Sequence, residues 1–157
     1  MSSGFSKKPV CRCSNAARSR YARRLSGPFL DRFDLRLAVD RPDPIDLLEL
    51  GGEQSTVEVR NKVIFARSAA IERQGCANGR LNSAQVDGFC RLSPSARSML
   101  DGQLRAGELT ARGLARIRRV ARTLMDLGGE SETYLLNDQH VYLALELRRR
   151  VVFEESQ

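Results

Sequence analysis

Apolar residues along this chain change their period near Pro44. Before it, Leu35, Leu37 and Val39 alternate with Arg36, Ala38 and Asp40, the two-residue repeat of a strand that Pro42 and Pro44 would end. After it, apolar residues recur every three or four positions, as in helices with one buried stripe. Ser55-Thr56-Val57-Glu58 has the form of a capping box and predicts a helix carrying Val57, Ile64 and Ile71 down one side, closed by Gly75. Asn78-Gly79 marks a turn, and a short helix is predicted over Asn82 to Leu92 with Ser83 as its cap. Ser93-Pro94 starts another, reaching about Arg105 before Gly107, with proline where its missing N–H does no harm. Thr110 caps the next, whose Leu114, Ile117, Ala121 and Leu124 form a stripe that stops at Gly128-Gly129. The last begins at Asn137-Asp138, sets Val141, Ala144 and Leu145 on one face, and ends in Arg148, Arg149 and Arg150.

Upstream, Asn15 to Leu25 predicts a basic helix, and Ser26-Gly27-Pro28 a turn. The expected fold is mainly α: a bundle from about residue 55 to 153, preceded by a helix plus one strand whose sheet partners lie elsewhere. Such a strand would expose an apolar edge around Leu35 to Val39, prone to self-association.

At 157 residues, 41% hydrophobic and 29% charged, the chain can bury a core of its own. Its apolar runs are too short for a transmembrane helix, and M-S-S-G-F-S-K-K-P-V lacks the apolar stretch of a secretory signal, so a cytoplasmic location is expected. The net charge of +7 is unevenly placed: residues 1 to 36 hold nine Lys or Arg against two Asp, and the remainder is balanced. Arg12, Arg18, Arg20, Arg23 and Arg24 therefore form a candidate contact with DNA phosphates. The other reading is a solvated basic segment, or one facing acidic neighbours or nucleotide, since no base-reading module or aromatic platform accompanies the charge.

Catalytic machinery is sparse. No G-x-x-x-x-G-K-[ST] loop cradles phosphates, no apolar strand ends in paired acids for magnesium, and His140, the lone histidine, has no evident Ser/Asp or Cys partner. Cys11, Cys13, Cys76 and Cys90 do not have the paired spacing of a zinc site, so no metal ligands are assigned and reduced thiols are expected. ATP hydrolysis by this chain alone is not expected.

Two segments carry a family resemblance. Ser26 to Leu35 reads S-G-P-F-L-D-R-F-D-L, and Leu109 to Leu127 reads L-T-A-R-G-L-A-R-I-R-R-V-A-R-T-L-M-D-L. The first resembles S-G-P-L-L-D-R-I-D-L and the second L-S-A-R-x-x-x-R-x-x-R-V-A-R-T-x-A-D-L, both from the magnesium-chelatase-like AAA+ ATPases of the ComM/YifB branch. Met125 stands where the pattern has a small residue. The resemblance runs from about Cys11 to the last helix, and the C-P-C-G pair that often precedes C-x-C in related ATPases has no counterpart here.

The resemblance implies the end of an AAA+ core followed by its helical lid. The corresponding organisation is a flexible basic lead-in over 1–14, a core remnant with the arginine-finger segment over 15–50, and a helical linker and sensor-2 lid over 51–157. Arg32 would be the arginine finger, reaching a neighbouring subunit's nucleotide, and Arg112 the sensor-2 arginine, with Arg116 and Arg119 as further nucleotide contacts and Arg122 on another arginine position of the pattern. A planar, permanently charged fork suits a phosphate gaining negative charge. The family implies ATP and Mg2+ in the intact parent and none in this chain alone. It further implies a homo-oligomeric ring, expected as a hexamer, acting as a motor on DNA in competence-type branch migration. Two alternatives stand beside this: a chelatase subunit driving metal insertion, and a non-enzymatic basic helical DNA-binding or adaptor module in which Arg32 and Arg112 are surface charges. By itself D-R-F-D also reads as an arginine paired locally with its flanking aspartates.

Overall fold

The computed structural model describes residues 13–14, 16–17, 19–20, 27–37, 39, 55–130 and 135–148. The chain divides into two compact units, one formed by Met1–Phe33 with Val39–Gly52 and the other by Asp34–Ala38 with Glu53–Gln157. No described helix is long and apolar enough to cross a membrane.

In the first unit, Ala16, Ala17, Ser19 and Arg20 have helical backbone, and Ser14 Oγ accepts the Ala17 N–H. The remainder of the predicted basic helix, with Arg18, Arg23 and Arg24, lies outside the described residues, as does Arg12 before it. Gly27–Leu30 forms a one-turn helix, α1, where a turn was expected. Proline tolerates the first turn of a helix because its missing N–H has no intrahelical partner there. The Phe29 and Phe33 rings meet edge to face with centroids 5.1 Å apart.

The helical unit is built from α2 (Thr56–Gln74), a 3-10 turn (Asn78–Arg80), α3 (Ser83–Phe89), β1 (Arg91–Leu92), α4 (Pro94–Arg105), α5 (Ala111–Leu127), β2 (Leu135–Leu136) and α6 (Asp138–Glu146). Its caps follow from local chemistry. Ser55 and Glu58 form the predicted capping box, and the Ser55 backbone N–H holds the Glu58 carboxyl below its usual range. Asn82, not Ser83, caps α3, reciprocally with Gln85. Ser93, Thr110 and Asn137 cap α4, α5 and α6.

The core is one cluster containing Leu81, Val86, Cys90, Leu100, Ile117, Met125, Leu136 and Val141. Helix α5 touches α2, the 3-10 turn, α3, β2 and α6, so it is the unit's axis. Its predicted stripe faces inward: Ile117 and Ala121 are buried, with Leu114 and Leu124 packed against them. Arg91-Leu92 pairs in parallel with Leu135-Leu136, a bridge that period-reading cannot see in two-residue segments. A parallel pair needs a long crossover, and α4 and α5 provide it.

Two expectations need correction. Leu35, Arg36, Leu37 and Val39 form no strand; instead the Arg36 N–H donates to Leu147 O, 2.8 Å away, so this backbone is tied to the end of α6 rather than to a ladder. The Val57, Ile64 and Ile71 stripe of α2 is exposed, while Ala66 and Ala70 are the buried residues of that helix. Small side chains let α2 approach α5 closely, and the contact is completed by a polar side chain, Arg73.

Candidate functional site

The N-terminus of α5 is the most site-like feature of the helical unit. Thr110 Oγ1 accepts the Gly113 N–H at 3.0 Å, and Thr110 O accepts that of Leu114 at 2.8 Å. The N–H groups of Ala111 and Arg112 then have no partner among the described residues, which leaves the positive end of the helix dipole available to an anion. Arg112 is exposed at this position and makes no ion pair among the described residues. Gly113 allows a tight approach: an added Cβ would lie 2.8 Å from Leu109 Cδ1 and 3.6 Å from the Arg148 guanidinium. Arg148, buried near the helix start, had been visible in the sequence only as part of a basic turn.

The other arginines of α5 have different surroundings. Arg116 Nη1 donates to Asp34 Oδ1 at 2.6 Å. Arg119 is half-buried, and its Nε, like that of Arg116, has no hydrogen-bond partner among the described residues. Arg118 donates to Asp87 Oδ1 and to the carbonyls of Cys90 and Val86, fastening α5 to the end of α3. Arg122 is fully buried, with Nε 3.4 Å from Asp126 Oδ1, an ion-pair contact too long or misaligned for a good hydrogen bond. The arginine spacing shared with the family pattern thus mixes exposed and buried residues.

Asp126 was missed by sequence reasoning. It is fully buried, takes both arms of Arg73 at 2.9 Å and the Asn78 side-chain amide at 2.7 Å. Asn78 in turn donates to Thr123 and accepts from Gln74. Its signal in the sequence was the aspartate shared with the family pattern near the end of the arginine-rich segment, a position that also suits an exposed face.

In the first unit, Arg32 is exposed on the turn after α1, its N–H donating to Phe29 O at 3.0 Å. Arg20 is exposed; the other arginines of the basic segment are outside the described residues. A groove of about 820 Å³ in the helical unit is lined by Leu92, Leu100, Leu114, Arg118 and others, but by none of Arg112, Arg116 and Arg119. Cys76 and Cys90 are unbridged, and burial pushes the Cys90 thiol up to about 11. No cluster of three or more His, Cys, Asp or Glu able to hold a metal occurs among the described residues.

The helical unit, packed around one capped, arginine-rich helix, is of the mainly α class. The family described as magnesium chelatase, subunit ChlI C-terminal, matches residues 53–148, and that described as magnesium chelatase, subunit ChlI, matches residues 2–47. The chain is 35% identical over 139 residues to the uncharacterized protein YifB of Escherichia coli, covering 87% of this chain and 27% of that protein. It is 38% identical over 116 residues to the competence protein ComM of Haemophilus influenzae, covering 73% and 23%. An uncharacterized protein of Mycobacterium tuberculosis is 40% identical over 126 residues, covering 77% and 25%. The chain belongs to the magnesium-chelatase-like family that includes YifB and ComM. It spans about a quarter of the length of these curated relatives.

Proposed function

We propose that this chain supplies the arginine finger and the sensor-2 lid of an ATP-driven ring motor. The observation that carries the proposal is Arg112, exposed beside the unpaired N–H groups of a capped helix start, in a chain of this family. That arrangement offers cationic and N–H groups, which suit a nucleotide phosphate and not a metal ion. In this reading residues 15–50 end the ATPase core and 51–157 form the linker and lid. Arg32 acts across the interface to the next subunit, Arg112 contacts phosphate within its own, and Arg119 lines the same face. ATP and Mg2+ belong to the intact assembly, with the metal held by acidic residues of the core. The assembly is a homo-oligomeric ring, hexameric by analogy, in the cytoplasm, and its substrate is DNA, as suited to a relative named for competence. Arg20 and its basic neighbours in sequence are the candidate DNA contacts.

A second reading, a chelatase subunit driving metal insertion, is favoured by the descriptions of the matching families. A chimera of this chain with the phosphate-binding core of the Escherichia coli relative separates the two. DNA-stimulated ATP turnover, lost on Arg112→Ala, is the expected result; turnover indifferent to DNA of any form removes the DNA motor. The unfused chain is expected to show no ATP turnover, because the N–H cradle and lysine of a phosphate loop are absent from its sequence. Steady hydrolysis that co-purifies with the unfused chain through successive columns contradicts this.

A further inference from the structure

Asp34 and Arg116 come from the two separate motifs. Asp34 closes D-R-F-D, two residues after Arg32, and Arg116 lies one turn into α5 from Arg112. Their 2.6 Å contact has the arginine side chain 20% exposed and the aspartate 51% exposed, so solvent weakens it only in part. Two residues later the Arg36 N–H donates to Leu147 O at 2.8 Å, just past the end of α6. The segment Asp34–Ala38 accordingly groups with the helical unit, although the residues before and after it do not. The side-chain pair and the backbone bond both tie this short piece of chain, neither helix nor strand, to the helical unit.

We propose that Asp34 and Arg116 form a latch that fastens the segment following Arg32 to α5, making Arg116 a positioning residue rather than a nucleotide ligand. Its functional side rests on the reading of Arg32 as the finger given above. The chemistry favours this assignment: a guanidinium arm already donating to a carboxylate at 2.6 Å would have to surrender that partner before reaching phosphate. Arg112 has no such commitment. With only Phe33 between Arg32 and Asp34, any displacement of α5 that moves Arg116 is passed to the finger along two peptide links.

Amide hydrogen exchange in the full 157-residue chain tests the latch without nucleotide. Asp34→Asn and Arg116→Gln should each speed exchange of the Arg36 amide about threefold to fivefold, as suits a partly exposed pair. The Ile117 and Ala121 amides should keep their protection, and the double variant should exchange no faster than either single one. Unchanged exchange at Arg36 in both single variants, or additive effects in the double variant, overturns the latch. In the chimera, both single variants should lower kcat while leaving KM for ATP within about twofold. A rise in KM confined to Arg116→Gln would make Arg116 a nucleotide ligand and overturn the positioning role. If Arg32→Ala proves harmless in that chimera, the finger reading falls, while the exchange measurement still decides the latch.

Discussion

Asp126 and Arg73 meet in a bidentate pair, Oδ1 and Oδ2 each 2.9 Å from one arm of the guanidinium, and this pair joins α2 to the axial helix α5. The aspartate is fully buried and the arginine nearly so, and buried Arg122 lies beside them. Removing the carboxylate leaves the Arg73 guanidinium at the α2–α5 contact without its bidentate partner. Asp126→Ala, and even the near-isosteric Asp126→Asn, should therefore cost about 3 to 5 kcal/mol of stability. Urea unfolding followed by circular dichroism measures this directly. By contrast, losing the exposed Arg105 partner of Asp101 should leave the unfolding midpoint unchanged. A loss below about 1 kcal/mol for both Asp126 variants would show that the pair does not hold α2 in place.

That network marks the boundary of what was legible in the chain. Ser93-Pro94, Thr110 and Asn137 announce α4, α5 and α6 because capping is a local bargain between one side chain and the next three N–H groups. The same logic mistook Ser83 for Asn82 by one position, since both residue types can cap. Residue type does not distinguish Arg122 from Arg112 on α5, yet one is buried and the other exposed. The alternation of Leu35, Leu37 and Val39 misled for a related reason: a strand needs a partner, and this backbone is tied to Leu147 instead. Motif likeness is what singles out Arg32 and Arg112 as candidates, whereas the Asp34 contact of Arg116 depends on a separation along the chain that no periodicity encodes.

Cys90 provides a pH signature of the core. Burial raises its thiol to about 11, with Arg118, Arg122, Arg73 and Arg119 opposing the shift more weakly. In the folded state the proton is held more tightly than in the unfolded chain, whose thiol titrates near 9. Stability from this source is therefore intact below about pH 9 and is lost as pH rises toward 11. Across that window the wild-type chain should lose roughly 2 to 3 kcal/mol more than Cys90→Ala. Parallel stability curves for the two proteins would refute the assignment. At pH 8, a thiol reagent should modify half-buried Cys76 readily and spare Cys90 until the chain unfolds.

Gly75 ends α2 in the left-handed region, at φ 76°, with its N–H donating to Ile71 O at 2.8 Å. A Cβ there would meet nothing within 4 Å, so any cost of Gly75→Ala comes from the backbone alone. It should be about 1 to 2 kcal/mol. Gly79 has equal space without the positive φ, and Gly79→Ala should stay within about 0.5 kcal/mol of wild type. Equal destabilisation by the two substitutions would place the cost in packing and not in the αL cap.

Arg32 and Arg112 should fail differently in the chimera. A finger acts on charge that develops in the transition state, so Arg32→Ala should leave nucleotide affinity nearly unchanged and depress turnover by about a thousandfold or more. A lid arginine beside the α5 N-terminus meets ground-state phosphate as well, so Arg112→Ala should weaken both binding and turnover. Lysine at position 32 should restore little, because a point charge cannot reproduce the two-pronged fork. Mixing decides whether Arg32 acts across an interface. Subunits carrying Arg32→Ala still hold an intact phosphate site, and subunits with a disabled phosphate loop still present an intact finger. Rings assembled from both should therefore regain turnover wherever an intact site faces an intact finger, although each parent alone is inactive. Assembly of mixed rings with no return of activity would exclude action in trans. Full activity of Arg32→Ala on its own would return Arg32 to the role of an exposed charge on the turn after α1.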